Sequence, residues 1–300
     1  MIVTGLSGGL GNQLFQYAVA VALRQRIGGR IKLDLGWFET TKREQFRLDA
    51  FCVEADILTP GDLAQMDHGE WRGTRHWIRK STRTGLARLN LCAAPVTVRT
   101  ISDERVHTPD FTNVRPGAYR LVGTWQYPSL LKDVRSDLRK ALTPRVKLSP
   151  VALYWMDVIK RLPSVAIHVR RGDTVSNPVY AFKIATLKSE YYVEAIKVMR
   201  ARVPEVRFVV FSDEPDWVRD NVPELSHSEF MDDLSLEPHE VLELMKACRH
   251  FVIANSTLSW WAAWLKEKDD TVVVSPGRWF RDTAGGWKNL SLSNWTELDV

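Results

Sequence analysis

Short apolar runs alternate along the chain with amphipathic stretches of helical period, a pattern that predicts an α/β protein with mainly parallel strands. Residues 1–4 read as a strand, 5–11 as a glycine-rich turn, and 12–27 as a helix with Leu14, Ala18, Val21 and Ala22 on one side, ended by Gly28-Gly29. Residues 31–35 give a second strand. The stretch 59–91 is polar, basic and weakly periodic, which predicts helices or loops in no readable order. A strand at 119–122 leads into Gly123-Thr124-Trp125-Gln126, a helical stretch runs to about Leu142, and Thr143-Pro144 opens a polar passage suited to a linker.

The second half is patterned more sharply. Helices are predicted over 150–161, 189–202, from Pro215, over 238–246 and over 258–266; strands over 165–169, 207–211, 251–254 and 271–275. Two domains are therefore expected, 1–149 and 150–300. Trp260, Trp261 and Trp264 fall at helical spacing beside Ala262 and Ala263, and there a core role outweighs ligand stacking.

Three of these strands end in polar groups. In Val165-Ala166-Ile167-His168-Val169-Arg170-Arg171-Gly172-Asp173 an apolar strand runs into an imidazole, two guanidiniums and a carboxylate. Residues two apart share a face, so His168 and Arg170 project together and Val169 packs the other side. The strand 207–211 ends in Ser212-Asp213, and 251–254 in Asn255-Ser256-Thr257. Taken alone, Asn255-Ser256-Thr257 is an ordinary helix cap and Asp213 caps the helix begun by Pro215. Parallel strands bring their carboxyl ends to one edge, however, and the convergence of three such ends suits a phosphate or ribose site.

Charge narrows the ligand. The net charge of +5 suits an anionic ligand or a membrane surface, but it is spread along the chain rather than gathered in blocks, which argues against nucleic acid. Cys52, Cys92 and Cys248 are odd in number and widely spaced, forming neither a disulfide framework nor a zinc set, and point to a reducing compartment. No window approaches the length of an apolar membrane span. With no Asp-x-Asp spacing and no Cys/His cluster, guanidinium rather than a divalent cation is expected to neutralise a diphosphate. A Gly-x-x-x-x-Gly-Lys-Ser/Thr loop, a Gly-x-Ser-x-Gly elbow and the third glycine of a dinucleotide fingerprint are all missing, which removes the supports for kinase-type, hydrolase-type and hydride-transfer chemistry.

Three long motifs carry a family resemblance: Gly8-Gly9-Leu10-Gly11-Asn12-Gln13-Leu14-Phe15-Gln16-Tyr17-Ala18, His168-Val169-Arg170-Arg171-Gly172-Asp173 and Asn255-Ser256-Thr257-Leu258-Ser259-Trp260-Trp261-Ala262-Ala263-Trp264-Leu265. With lesser matches at 46–51, 123–126, 191–192 and 211–214, the chain resembles the bacterial α-1,2-fucosyltransferases of glycosyltransferase family 11 over essentially its whole length. The resemblance implies a GT-B-like α/β fold, two Rossmann-like domains with mainly parallel sheets facing a cleft. The first domain would be mainly acceptor-side and the second would bind GDP-fucose. It implies inverting, metal-independent transfer of L-fucose from GDP-β-L-fucose to the 2-hydroxyl of a terminal galactose on an oligosaccharide or lipid-linked glycan, in bacterial surface-glycan synthesis, with no cofactor. The location implied is cytoplasmic, peripheral at the inner membrane.

Residue by residue, the resemblance designates Arg170 as the phosphate-gripping arginine, with Arg171 less secure because it faces the other way on an ideal strand, and nominates Asn12 near the donor. The catalytic set expected is Arg170, Asp173 and Asn12, with Asp173 either a general base or an orienter of an arginine. His168, Arg170, Arg171, Gly11, Asn12, Ser212, Asp213, Glu240, Asn255, Ser256 and Thr257 are expected on the donor, and Trp125, Gln126 and Thr174 on the acceptor side. Thr174, Thr124 and Leu258 stand where relatives commonly carry aromatics, which bears on the acceptor more than on the donor. Two alternatives stay open. A GT-B enzyme using another nucleotide sugar would keep the arginines, whereas a non-catalytic glycan- or nucleotide-binding module would explain the tryptophans but not the strand-end site.

Overall fold

The opening apolar run forms β1 (Ile2–Gly5), and the chain turns directly into α1 (Leu10–Ile27), buried along most of its length from Leu10 to Leu23. Gly28 ends the helix at φ +69°, a conformation that costs a residue with a side chain more than it costs glycine. The computed structural model describes residues 1–41, 44–66, 96–103, 111–161, 163–172, 175, 182, 184–232, 234–281 and 290–299. They divide into two units, Met1–Arg145 and Val146–Val300.

The first unit is a parallel sheet in the order β3-β2-β1-β5-β4, with β2 at Ile31–Asp34, β3 at Asp56–Ile57, β4 at Val98–Ser102 and β5 at Ala118–Val122. The helical stretch expected up to Leu142 is a 3₁₀ segment, Pro128–Val134, running into α2 (Arg135–Ala141). The stretch 67–95, most of the weakly periodic basic segment, lies outside the described residues.

The second unit is also parallel, in the order β11-β10-β9-β6-β7-β8. Its strands are β6 (Ser164–Val169), β7 (Arg207–Ser212), β8 (Glu229–Phe230), β9 (His250–Val252), β10 (Val273–Pro276) and β11 (Thr296–Leu298). Its helices are α3 (Pro150–Lys160), α4 (Ser189–Arg202), α5 (Pro215–Asn221), α6 (Pro238–Ala247) and α7 (Thr257–Lys266). Proline starts α3, α5 and α6, where its missing N–H is not needed and its fixed φ suits the first turn.

Every residue of β6 is buried, as a central parallel strand covered on both faces requires. Val165, Ile167 and Val169 pack with Tyr191, Tyr192, Ala195, Ile196 and Met199 of α4, so Ala166 and His168 occupy the opposite face. The tryptophans of α7 are core: Trp260 and Trp261 are fully buried, and Trp260 stacks on Trp264 with centroids 5.8 Å apart while its Nε1 donates to Leu290 O at 2.7 Å. The chain is thus α/β with two Rossmann-like units of parallel strands. Among the described residues no helix is long and apolar enough to cross a membrane.

Candidate functional site

The strand order of each sheet says where a ligand belongs. In the second unit the chain lays β7 and β8 on one side of β6 and then β9, β10 and β11 on the other, so the order reverses between β6 and β9. Open parallel sheets bind ligands in the crevice beyond the carboxyl ends at such a point. There β6 and β9 run in register, Ile167 beside Val252, and Arg170 and Asn255 each lie three residues beyond that pair. The strand-end groups singled out in the sequence therefore sit at the switch point itself.

His168 is buried to 8% exposure, and its Nδ1 has no hydrogen-bond partner among the described residues. Burial, helped by the charge of Arg170, pushes its pKa down to about 3, so the imidazole is neutral at neutral pH and can give or take one bond at each nitrogen. An unsatisfied buried polar atom costs about 1–3 kcal/mol unless a ligand completes it. Arg170 follows at the strand mouth, partly exposed.

Arg171 is held elsewhere. Its Nε donates to Glu214 Oε2 at 3.2 Å, its guanidinium lies 3.8 Å from the centroid of Trp217, and its backbone N–H donates to Asp213 Oδ1 at 2.9 Å. Glu214 and Trp217 stand at the start of α5, which explains why the second arginine turns from the crevice. Asp213 thus secures the turn after β6, while Ser212 Oγ accepts the N–H of Glu214 at 3.0 Å.

Glu240 is buried at the start of α6 with both oxygens engaged, Oε1 by the Ser149 N–H at 2.6 Å and Oε2 by the Glu237 N–H at 3.0 Å. It ties the first turns of α3 and α6 together. Burial opposes its ionisation, but those bonds outweigh it and hold the carboxyl below its ordinary value.

Asn255 donates through Nδ2 to Ala185 O and, at 3.3 Å, to Trp279 O, bracing two loops against the turn that opens α7. Ser256 occupies the cap position of α7, yet its hydroxyl does not cap; Thr257 is the first helical residue. α7 thus starts just beyond the carboxyl end of β9, and Ser256 leaves its first-turn N–H groups without a side-chain cap, the arrangement that favours an anion. Asp173 and Thr174 lie outside the described residues.

The first unit repeats the logic. Its order reverses between β1 and β5, whose carboxyl ends lead to the glycine-rich turn and to Gly123-Thr124-Trp125-Gln126. Amides of α1 bind these segments together. Gln13 donates to Gly8 O and Gln45 O, both at 2.8 Å, and accepts the Arg47 N–H at 2.9 Å; Gln16 accepts the Ser7 N–H at 2.9 Å and donates to Gly123 O at 3.1 Å. Asn12 Oδ1 accepts from Gln126 Nε2 at 3.1 Å, which joins the residue nominated for the donor to one nominated for the acceptor. Gly11 lies buried in the first turn of α1. Gly8, at φ +72°, lets Asn12 close over it: a Cβ there would meet Asn12 Nδ2 at 2.7 Å.

Sequence reasoning passed over Asp103, just beyond β4. Its Oδ2 accepts from the N–H and hydroxyl of Thr124 at 3.0 and 2.8 Å and from the Trp125 N–H at 2.9 Å, and its Oδ1 accepts from Tyr127 at 2.6 Å. Burial raises its pKa, but the four bonds together bring it below the ordinary value. Asp103 holds Trp125 at φ +57° with the indole fully buried, whereas Thr124 and Gln126 on either side of it are partly exposed. An isolated Asp just past an unrecognised edge strand gave no signal. Glu44 was passed over as well; its carboxylate lies over Gly9 at the start of α1, within 3.6–3.8 Å of where a Cβ would be.

Residues 99–299 match the profile of glycosyl transferase family 11. The chain belongs to this family. Among family 11-like relatives, an α-1,2-colitosyltransferase of Escherichia coli is 32% identical over 93% of this chain and 92% of its own. An O-antigen biosynthesis glycosyltransferase of the same species, WbnK, is 28% identical over 98% and 99% of the two chains. Galactoside α-(1,2)-fucosyltransferase 1 of Leontocebus fuscicollis is 26% identical over 89% of this chain and 66% of its own. The solved α-1,6-fucosyltransferase NodZ soaked with GDP-fucose aligns over 88% of this chain and 91% of its own at 14% identity and a TM-score of 0.49. The family 11 chain is therefore a nucleotide-sugar-dependent glycosyltransferase.

Proposed function

We propose that this family 11 enzyme transfers L-fucose from GDP-β-L-fucose to the 2-hydroxyl of a terminal galactose, with inversion and without a metal ion, in the synthesis of a bacterial surface glycan. The observation that carries the reading is the β6–β9 switch point, where Arg170, the unpartnered imidazole nitrogen of His168 and the uncapped first turn of α7 come together. As GDP departs from an oxocarbenium-like transition state, negative charge grows on the β-phosphate. Arg170 and the α7 N–H groups would stabilise it in place of a cation. His168, neutral, would hydrogen-bond the nucleotide. The Asn12–Gln126 pair of the first unit would position the acceptor, and Asp173 would take its proton or orient an arginine.

A second reading keeps the α-1,2 linkage and exchanges the sugar for colitose, favoured by the 32% identity to the colitosyltransferase. Acceptors would be galactose-ended oligosaccharides or lipid-linked glycans, met in the cytoplasm or at the inner membrane face, to which the net charge of +5 gives attraction.

The deciding experiment is incubation with GDP-fucose or GDP-colitose and a panel of galactose-terminated oligosaccharides, in chelator, with linkage analysis of the product. An α-1,2-fucosylated product in chelator is the expected result. Transfer of colitose alone selects the second reading; transfer restored only by added Mg²⁺ or Mn²⁺, or of neither sugar, overturns the proposal.

A further inference from the structure

On the same sheet edge as the β6–β9 crevice, at the carboxyl ends of β10 and β11, lies a cavity of about 690 Å³, in the range of clefts that hold small ligands. Its polar wall is Arg278, Arg281, Thr186 and Asp299, and Leu187 and Leu298 give it an apolar side. Arg281 is preset by its neighbours: Nε donates to Ile184 O at 3.3 Å and Nη2 to Thr186 Oγ1 at 3.4 Å, and among the described residues its three other N–H groups remain for a ligand. Arg278 is exposed. Asp299 folds its carboxylate against Gly277, a close approach that needs glycine because a Cβ there would overlap the carboxylate.

The chemistry of this wall is selective. Among the described lining residues two guanidiniums against one carboxylate give an excess of positive charge, and a planar guanidinium matches a carboxylate with two parallel bonds. Asp299 is an acceptor for hydroxyl groups and repels a dianion. The leucines suit the C–H face of a sugar ring. We propose that this cavity is a subsite for an acidic sugar residue, a hexuronic acid bearing a ring carboxylate, within the glycan acceptor; the last clause rests on the transfer reading above.

The subsite is tied to the donor crevice. Asn255 Nδ2 donates to the carbonyls of Ala185 and Trp279, in the two segments that wall the cavity, while Asn255 itself belongs to the turn opening α7. The cavity mouth at β10 is one strand from β9, roughly 4.8 Å, so a sugar lodged there sits within one or two residues of the crevice.

The test is a binding measurement that needs no turnover. The full chain is titrated by saturation-transfer NMR with methyl β-D-glucuronide, methyl β-D-glucoside and inorganic phosphate. The glucuronide is expected to bind saturably and at least ~10-fold more tightly than the glucoside, the scale of one charge-assisted hydrogen bond, and equimolar phosphate to leave it bound. Arg278→Gln and Arg278→Glu, at an exposed side chain, are expected to remove that preference without changing the melting temperature. Equal binding of the two glycosides, no saturable binding, displacement by equimolar phosphate, or an unchanged preference in both folded variants would overturn the proposal. Loss of fucose transfer as a reading would leave this binding result standing, and the reverse holds too.

Discussion

Asp213 accepts the backbone N–H of Arg171 at 2.9 Å, so the end of β7 fixes the turn by which the chain leaves β6. The side chain of the same arginine lies between Glu214 and Trp217, and adjacent arginines thereby acquire different work. Arg170→Ala is expected to lower turnover at least ~10²-fold with thermal stability unchanged, the cost of removing one preorganised donor to developing charge. Arg171→Ala is expected to destabilise the fold by about 1–2 kcal/mol, since a partly exposed ion pair and a cation–π contact are each modest, and to reduce turnover less. Paired melting curves and kcat values check the division; equal loss of turnover with equal stability would dissolve it.

Asp103 is expected to act on the acceptor through the turn it holds. Asp103→Ala leaves the N–H groups of Thr124 and Trp125 without their acceptor, at about 1–3 kcal/mol each where buried. Trp125 at φ +57° then has little to keep it there. The expected signature is a raised acceptor KM with GDP affinity unaltered, measured by initial rates beside nucleotide titration. A weakened GDP affinity instead would show that the turn serves the donor.

Acid should weaken the fold through His168. In the native chain it stays neutral down to about pH 3, whereas in the unfolded chain it takes up a proton near 6.5, so below pH 6.5 the unfolded state binds more protons and stability declines until about pH 3. One such group contributes a slope of at most ~1.4 kcal/mol per pH unit. His168→Gln is expected to flatten the urea-unfolding profile between pH 6 and 4 by about that amount. An unaltered slope would mean that the imidazole is already protonated in the native state.

Glu240 is expected to be a structural tie between α3 and α6. Glu240→Gln replaces one accepting oxygen with an NH₂ group facing a backbone N–H, which should cost about 1–3 kcal/mol. Because the native carboxyl titrates below its ordinary value, the stability it gives is present above the unfolded pKa and lost as pH falls through the native one. The wild-type and Glu240→Gln denaturation curves should therefore converge in acid. A variant of native stability that no longer binds GDP would instead assign Glu240 to the donor.

What the sequence disclosed and what it withheld divide along a physical line. β1, β2, β5, β6, β7, β9 and β10 are the inner strands of the two sheets and are mostly buried, which gives them a predominantly apolar sequence interrupted by single polar residues such as Lys32 and Arg120. The strands that escaped, β3, β4, β8 and β11, are the four sheet edges, two to five residues long, with mostly exposed or half-buried positions and no sustained hydrophobic pattern; backbone pairing to a neighbour defines them. At the site the same contrast holds. His168, Arg170 and Asn255 were legible because each lies at or within three residues of the end of a buried strand. The engagement of Arg171 by α5 and of Asp103 by the 124–127 turn was not, since each depends on a partner 21 to 46 residues away.

α7 begins at the carboxyl edge of the sheet beyond β9 and becomes, within one turn, a packed group of indoles: Trp260, Trp261 and Trp264 have ring centroids 5.2–5.8 Å apart. Fluorophores this close exchange excitation and respond together to small changes in the field around them. An anion bound at the amino end of the helix would change that field along its axis, and the proposed nucleotide seat would then be readable in the protein's own ultraviolet emission with no label attached.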